Sequence, residues 1–449
     1  MGTVVPTRQV TGEVLVRNFD KTTDVEKVLA LEQTCEAGDN ANDMTLLQDL
    51  LGDPLSRVRH YPSYSMMVAE VDQEIVGVVR AGIKTVVCGK SGAKSVQSGS
   101  RSRTHLQDVP IYAKAAYLLG LRVSPAHRRM GIGLKLAMKM EEWCKEQGVE
   151  YMYFATTKDN APSLNLFTDR LQYTPFRYPA LLGHPIWHHS VRLPSHIEVT
   201  KLSVEAAVAM YRSVMNTEEF FPEDIDKILN HKLCAGTWVA TLREDRHSGL
   251  CCGGSCRVSE NMGTIESSFA RSDDGRPMPK SWAVLSLWKC NEIFSFQVKG
   301  VPLYKRTGAL ISRCLDKALP WCNIPSFPNV FNPFGLQFLF GLHAEGPKGP
   351  ELFRSLCRHA HNVSRKDGCQ VLLTEVGATD PLRQSIPHWE KFSFADDVWC
   401  VKNLVKLADN GGDSDRSRKV GAELDRSSFD WCRVQCPPAS TMFVDPRDV

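Results

Sequence analysis

No stretch of the 449-residue sequence approaches the roughly 18 to 20 consecutive apolar residues that span a bilayer, so no membrane partner is expected. The opening MGTVVPTRQVTG lacks the basic and apolar regions of a secretory leader. It begins Met-Gly, but Pro6 stands where a myristoylation signal wants Ser or Thr. A surplus of one charge is also missing. The 54 basic and 51 acidic side chains leave a net charge of +3, which gives no general pull towards nucleic acid. The fifteen cysteines are odd in number and scattered, which fits reduced thiols in cytoplasm or nucleus. Cys251, Cys252 and Cys256 cluster, but no second pair stands at zinc spacing, and no metal site is expected. His184, His188 and His189 lie near Pro185 and Trp187 and read as packing or surface side chains.

What is present is a chain too long for one ordinary core, so two domains are expected. EVLVRNFD reads as a strand, followed by a helical pattern over residues 23–35. SMMVAEVDQEIVGVVRAGIKTVV reads as a hairpin turning at Asp72-Gln73-Glu74. CGKSGAKSVQSGSRSRTHLQ has no apolar period and reads as a loop. AKAAYLLGLRV is a buried strand and GLKLAMKMEEWCKEQG a helix ended by Gly148. VEYMYFATT is another strand, and NAPSLNLFTDRLQY a helix opened by Asn160 with Pro162 in its first turn. This order implies an α/β fold built on a mixed sheet.

The second half parallels the first. The stretch from Phe338 to Phe394 follows the one from Tyr117 to Tyr173, matching Gly341 to Gly120, Leu342 to Leu121 and Gly368 to Gly148. The expected organisation is one fold in tandem, over 12–190 and 196–407. A polar linker at 408–428 and a tail at 429–449 that docks back would follow. The copies differ at one loop: SPAHRRMGIG in the first is EGPKGPE in the second.

That loop follows a strand and opens a helix. Gly131 and Gly133 leave backbone N–H groups bare at a helix N-terminus, where they and the helix dipole attract an anion. Arg128 and Arg129 add charge-assisted donors, and Pro125 fixes the approach. A solvated basic turn is the plainer alternative. The spacing matches neither the dinucleotide fingerprint nor a Walker loop.

RRMGIG, with this element order, resembles the Arg/Gln-x-x-Gly-x-Gly/Ala signature of the GNAT superfamily of N-acetyltransferases. LRVSPAHRRMGIGLKL, ATTKDNAPSLNLF and the ending FVDPRDV resemble the hookless-type N-acetyltransferases of plants over most of the chain. The resemblance implies a tandem GNAT-like fold with an intact N-terminal copy and a degenerate C-terminal one. It implies acetyl-CoA as co-substrate, an amine acceptor that can be a protein, and a nuclear role in ethylene- and auxin-linked differential growth. It carries the pantetheine arm to the backbone of Leu121, Arg122 and Val123, where the arm adds as a strand. The pyrophosphate falls to Arg128, Arg129, Met130, Gly131, Ile132 and Gly133, and Asn160 and Phe167 contact the arm. A plain N-cap explains Asn160 equally well.

Acetyl transfer needs a neutral amine, a donor for the developing oxyanion and a proton for the leaving thiolate. Many family members carry a Glu where Tyr117 stands and a Tyr near Phe167. Tyr117 and Tyr153 are therefore the catalytic candidates, with Tyr173 as a further substitute and Glu70 or Glu150 as possible bases. The leading reading is an N-acetyltransferase acting on a protein lysine or N-terminus. Its rival is an inactive regulator that binds coenzyme A and protein partners. Direct nucleic-acid binding rests only on the basic stretch Lys84 to Arg103, without interleaved aromatics, and is not expected.

Overall fold

The computed structural model describes residues 13–36, 45–91, 109–243, 279–393, 397–405, 431–432 and 441–449. Most of the basic loop, the cluster Cys251, Cys252 and Cys256, and the linker 408–428 lie outside the described residues.

The chain opens with strand β1 (Leu15–Asn18), helix α1 (Val25–Glu36) and strands β2 (Thr45–Asp49), β3 (Ser63–Val71) and β4 (Glu74–Ser91). Asp72 and Gln73 join β3 to β4 with φ of 49° and 67°, a turn whose twist matches that of the strands it links. Then come β5 (Val109–Val123), α2 (Ile132–Glu146), β6 (Tyr151–Thr157) and α3 (Ala161–Leu164), which runs into a π-type turn over Asn165–Arg170. β7 (Thr174–Arg177) and β8 (Ala180–Pro185) close the first half. β9 (Ile197–Leu202), α4 (Val204–Val214), α5 (Ile225–Leu229), β10 (Cys234–Leu242), β11 (Trp282–Trp288) and β12 (Ser295–Lys299) follow. A helix over Leu303–Ala318, β13 (Leu336–Glu345), a helix over Gly349–Lys366, β14 (Val371–Val376) and β15 (Asp397–Asn403) complete the second half.

Two mixed sheets result, of order β1-β3-β4-β5-β6-β15-β7 and β8-β14-β13-β11-β10-β9, with β2 and β12 paired beside them. The α/β mixed-sheet expectation holds. The sheets do not respect the boundary drawn between 12–190 and 196–407. β8 pairs antiparallel with β14 in the second sheet, and β15 lies between β6 and β7 in the first. Each half thus lends a strand to the other. Strand propensity in VWCV and ALLG marks them as strands; what selects their partners is long-range packing, which a local pattern does not carry.

One face of the first sheet is covered by α2, whose Ile132, Leu136, Ala137, Met140 and Cys144 are buried at helical spacing against Ala81, Leu118 and Met152. The other face, carrying Tyr117, Tyr153 and Trp399, belongs to one continuous core with Phe220, Trp288 and Phe340 of the second half.

The last residues of the chain sit inside this joint. Asp448 accepts from Lys84 Nζ at 2.6 and 2.7 Å, from Tyr61 Oη at 2.6 Å and from Tyr153 Oη at 2.7 Å. Arg447 pairs with Asp445 at 2.7 Å and with Asp224 at 2.8 Å, and Phe443 N donates to Glu219 O at 2.9 Å. Burial works against the Asp445 carboxylate, but Arg447 and Lys84 outweigh it and hold it below the usual carboxylate range.

Residues 1–190 expressed alone should be poorly soluble and aggregate, because the first sheet loses β15 from its interior and one face loses its cover. A monomeric, cooperatively melting fragment would contradict this. In the whole chain, Asp448→Ala removes the nearer of the two carboxylates on the enclosed Lys84 ammonium, leaving Asp445 at 3.3 Å, and should cost about 3 kcal/mol of stability, measured by denaturant unfolding.

Candidate functional site

The site begins where two strands part. β5 and β6 run parallel and pair at Ala115↔Tyr151, Ala116↔Met152 and Tyr117↔Tyr153. Pairing stops there, although β5 continues to Val123 and β6 to Thr157. A wedge therefore opens between them, with the main chain of residues 118–123 along one wall. On its other edge β5 is bulged against β4 between Val78 and Arg80. Gly120 sits at the bulge with φ +62°, a conformation glycine reaches without strain. A Cβ there would come within 2.6 Å of Arg80 Nη1. Arg80 is buried; its Nε donates to Pro54 O at 2.7 Å and its Nη2 to Glu32 Oε1 at 2.5 Å.

The glycine loop lies at the open end of the wedge. Ser124 N donates to Val76 O at 2.8 Å, a 3-10 turn follows over Pro125–His127, and Arg129 and Gly131 take φ of 63° and 78°. α2 then starts with no side-chain cap, so the donors of its first turn are not taken by a capping side chain. Nothing lies within 4 Å of where a Gly131 Cβ would stand, and Arg128, Arg129 and Met130 are exposed. This concavity of bare N–H groups, a helix dipole and two arginines suits a pyrophosphate. Ile132 is buried under it as the first core residue of α2. A Cβ on Gly133 would meet Leu166 at 3.4 Å, Val123 at 3.8 Å and Leu121 at 3.9 Å, so the channel from the loop into the wedge is lined by these apolar chains. Arg122, between Leu121 and Val123, is half-buried.

Phe167 and Asn160, which the resemblance assigns to the arm, are placed as follows. Phe167 is 1% exposed and packs on Phe154 and Tyr173 with ring centroids 4.0 and 5.2 Å apart. It is a core side chain, and the π-type turn that buries it presents Leu166 to the channel instead. Asn160 caps α3: Oδ1 accepts from Ser163 N at 3.3 Å and Nδ2 donates to Thr156 Oγ1 at 3.0 Å.

The tyrosines separate as well. Tyr153 donates to Asp448, and burial followed by that carboxylate pushes its phenol far up. Tyr117 lies beside it, ring centroids 5.0 Å apart, at the last paired rung. Its hydroxyl has no hydrogen bond among the described residues, and burial, then the Asp448 charge, keeps it protonated. Tyr173 belongs to the core on the opposite face, under α2. Neither proposed base reaches the wedge. Glu70 pairs with Arg17 at 2.7 Å, and Glu150 Oε1 accepts from Lys114 N at 3.3 Å. Among the described residues no group of three or more His, Cys, Asp or Glu side chains could hold a metal.

The corresponding loop of the second half is closed. A Cβ on Gly346, φ +80°, would lie 2.0 Å from Lys280 O and 2.6 Å from Ser281 Oγ, and Lys348 N donates to Ser281 Oγ at 3.2 Å. Glu345 accepts from Trp282 Nε1 at 3.1 Å, and Glu351 pairs with Lys348 at 3.3 Å.

Comparison with known proteins agrees with this geometry. Residues 30–172 match the acetyltransferase (GNAT) family model. The chain is 42% identical over 440 residues to "Probable N-acetyltransferase HLS1-like" of Arabidopsis thaliana, covering 97% of this chain and 99% of that protein. It is 36% identical over 474 residues to "Acetyl transferase GW6a" of Oryza sativa subsp. japonica, covering 97% of each. A structure of Saccharomyces cerevisiae N-myristoyltransferase with bound myristoyl-CoA superposes with a TM-score of 0.47 at 9% identity, over 90% of this chain and 81% of that one. That likeness is too loose to carry a residue-by-residue argument. The wedge, the open glycine loop and the full-length relatives lead to one conclusion: the chain belongs to the GNAT family of acetyltransferases, among its hookless-type plant members.

Proposed function

We propose that the first half binds acetyl-CoA in the wedge between β5 and β6 and that the protein transfers the acetyl group to an amine on another protein. The observation that carries the reading is the loss of β5–β6 pairing beyond Tyr117 and Tyr153, directly in line with the uncapped start of α2. The pyrophosphate rests on the amides from Arg129 to Gly133, with Arg128 and Arg129 beside it. The arm hydrogen-bonds the free main-chain edge of Leu121–Val123 as an added strand, against Leu166. This brings the thioester to Gly120 and Tyr117. The Tyr117 hydroxyl, kept protonated and unpaired, donates towards the leaving sulfur. A lysine or N-terminal acceptor, a nuclear site of action and a part in differential growth follow from the hookless-type resemblance.

The second half is read as a degenerate copy of the first. Gly341 and Gly120 share φ +62° on strands that each pair parallel with the next strand and lead into a helix. Its loop is filled by Lys280 and Ser281 and lined with acids, so it takes no pyrophosphate.

Calorimetry should therefore give one coenzyme A per chain. Gly131→Val should abolish binding while the protein stays folded, since a β-branched side chain fills the open space and resists φ +78°. Arg129→Ala should weaken binding by about 1.5–3 kcal/mol, one charge-assisted contact. Two sites per chain, or unchanged affinity in the Gly131 variant, would refute the assignment. Tyr117→Phe should lower kcat by roughly 10²- to 10⁴-fold with little change in coenzyme A affinity. Full turnover in that variant would remove Tyr117 from the chemistry.

A further inference from the structure

The first half offers the thioester a place but no base. Glu70 and Glu150 face elsewhere, and the Asp448 carboxylate is filled by Lys84, Tyr61 and Tyr153. A carboxylate of the other half stands close enough to act on Tyr117. β15 pairs with β6 at Trp399↔Ala155 and Asp397↔Thr157, both beyond the rung at which β5 departs. The Trp399 indole stacks on Tyr153 with centroids 5.4 Å apart and turns its Nε1–H away, donating to Glu375 Oε1 at 2.9 Å. Glu375 lies near the end of β14, in the second sheet, and is half-buried. Through Trp399 it adjoins the face that carries Tyr117 and Tyr153, opposite α2, and its charge acts on the Tyr117 phenol.

We infer that Glu375, contributed by the second half, is the general base that deprotonates the acceptor amine. The inference rests on the acetyl-CoA reading above. Its carboxylate takes one proton from the substrate ammonium. The neutral nitrogen adds its lone pair to the thioester carbonyl carbon, forming the C–N bond. Collapse breaks the C–S bond, and the sulfur leaves with that electron pair. Tyr117 gives its proton to the thiolate and takes up the second nitrogen proton in its place, giving the amide and free thiol, while Glu375 returns its proton to solvent. Its environment is tuned to this. Atoms packed round the carboxyl desolvate it, Asp397 and Asp448 repel its charge, the Trp399 hydrogen bond opposes them, and the balance pushes it up to about 8. The other titratable groups packed on this face include Tyr117, Tyr153 and Tyr61, all held protonated, Lys84, which is paired with Asp448 and Asp445, and Arg447, which is paired with Asp445. Carboxylate, the working form, is present above that value, so kcat should rise with pH through about 8.

The test uses the full chain and two probe acceptors. Poly-L-lysine presents an ammonium; phenylhydrazine presents a nitrogen already neutral at pH 7. Glu375→Gln should cut kcat with poly-L-lysine by about 10²-fold or more and flatten its rise with pH, while the phenylhydrazine rate changes by less than about threefold. Coenzyme A affinity should stay within about twofold, and Glu375→Asp should restore part of the lysine rate and its pH dependence. Equal losses with both acceptors, or an unchanged pH profile, would overturn the assignment of Glu375. So would a wild-type chain that binds coenzyme A and acetylates neither probe. A wild-type chain that does not bind coenzyme A would instead refute the site itself.

Discussion

The ammonium of Lys84 is fully enclosed, and the architecture is arranged around keeping it paired. An unpaired charge at that depth costs several kcal/mol, so β4 can carry Lys84 only if a carboxylate is delivered to it. The carboxylate is Asp448, next to the last residue of the sequence, and Asp445 stands 3.3 Å away on the same tail. Between Lys84 and Asp448 the whole second half must fold, since Arg447 is itself pinned to Asp224. One ion-pair cluster therefore makes docking of residues 445–448 a condition for completing the first sheet.

Strand exchange acts in the same direction. With β15 inside the first sheet and β8 in the second, neither half holds a finished set of hydrogen bonds by itself. The shared core of Tyr153, Phe220, Trp399 and Trp431 lies where they cross, with Phe220 and Trp431 stacked 4.6 Å apart. This rigid joint backs the wedge. It fixes Tyr117 and Tyr153 against movement, while the glycine loop on the far side of α2's first turn stays open to solvent.

Much of this could be read in the residues. The strands either side of α2, the glycine loop and the amphipathic α2 were legible because each is written in a local period or a turn chemistry. RRMGIG lies where the wedge opens. Phe167 misled because a π-type turn adds a residue to the last helix and rotates Leu166, one position earlier, into the channel. Glu70 and Glu150 were reasonable bases by strand position alone, but ladder register turns Glu70 to Arg17 and Glu150 to the Lys114 amide. Glu375 could not have been found: it lies more than 200 residues beyond Tyr153, and a strand swap brings it there. The repeat hinted that the second half mattered without saying how.

That half has a physical reason to persist without a phosphate loop. With Gly346 packed against Lys280 and Ser281, the loop has backbone contacts that an open cradle lacks, and these add stability. The half still supplies what the first sheet cannot make from its own sequence: β15 between β6 and β7, a tail carboxylate for Lys84, and Glu375 as partner of the Trp399 indole. A sheet that has surrendered an interior strand cannot take it back without a matching sequence of its own. The exchange therefore ties the folding of the half that carries the open glycine loop to the integrity of a half whose corresponding loop is closed. Selection on one half is then selection on both.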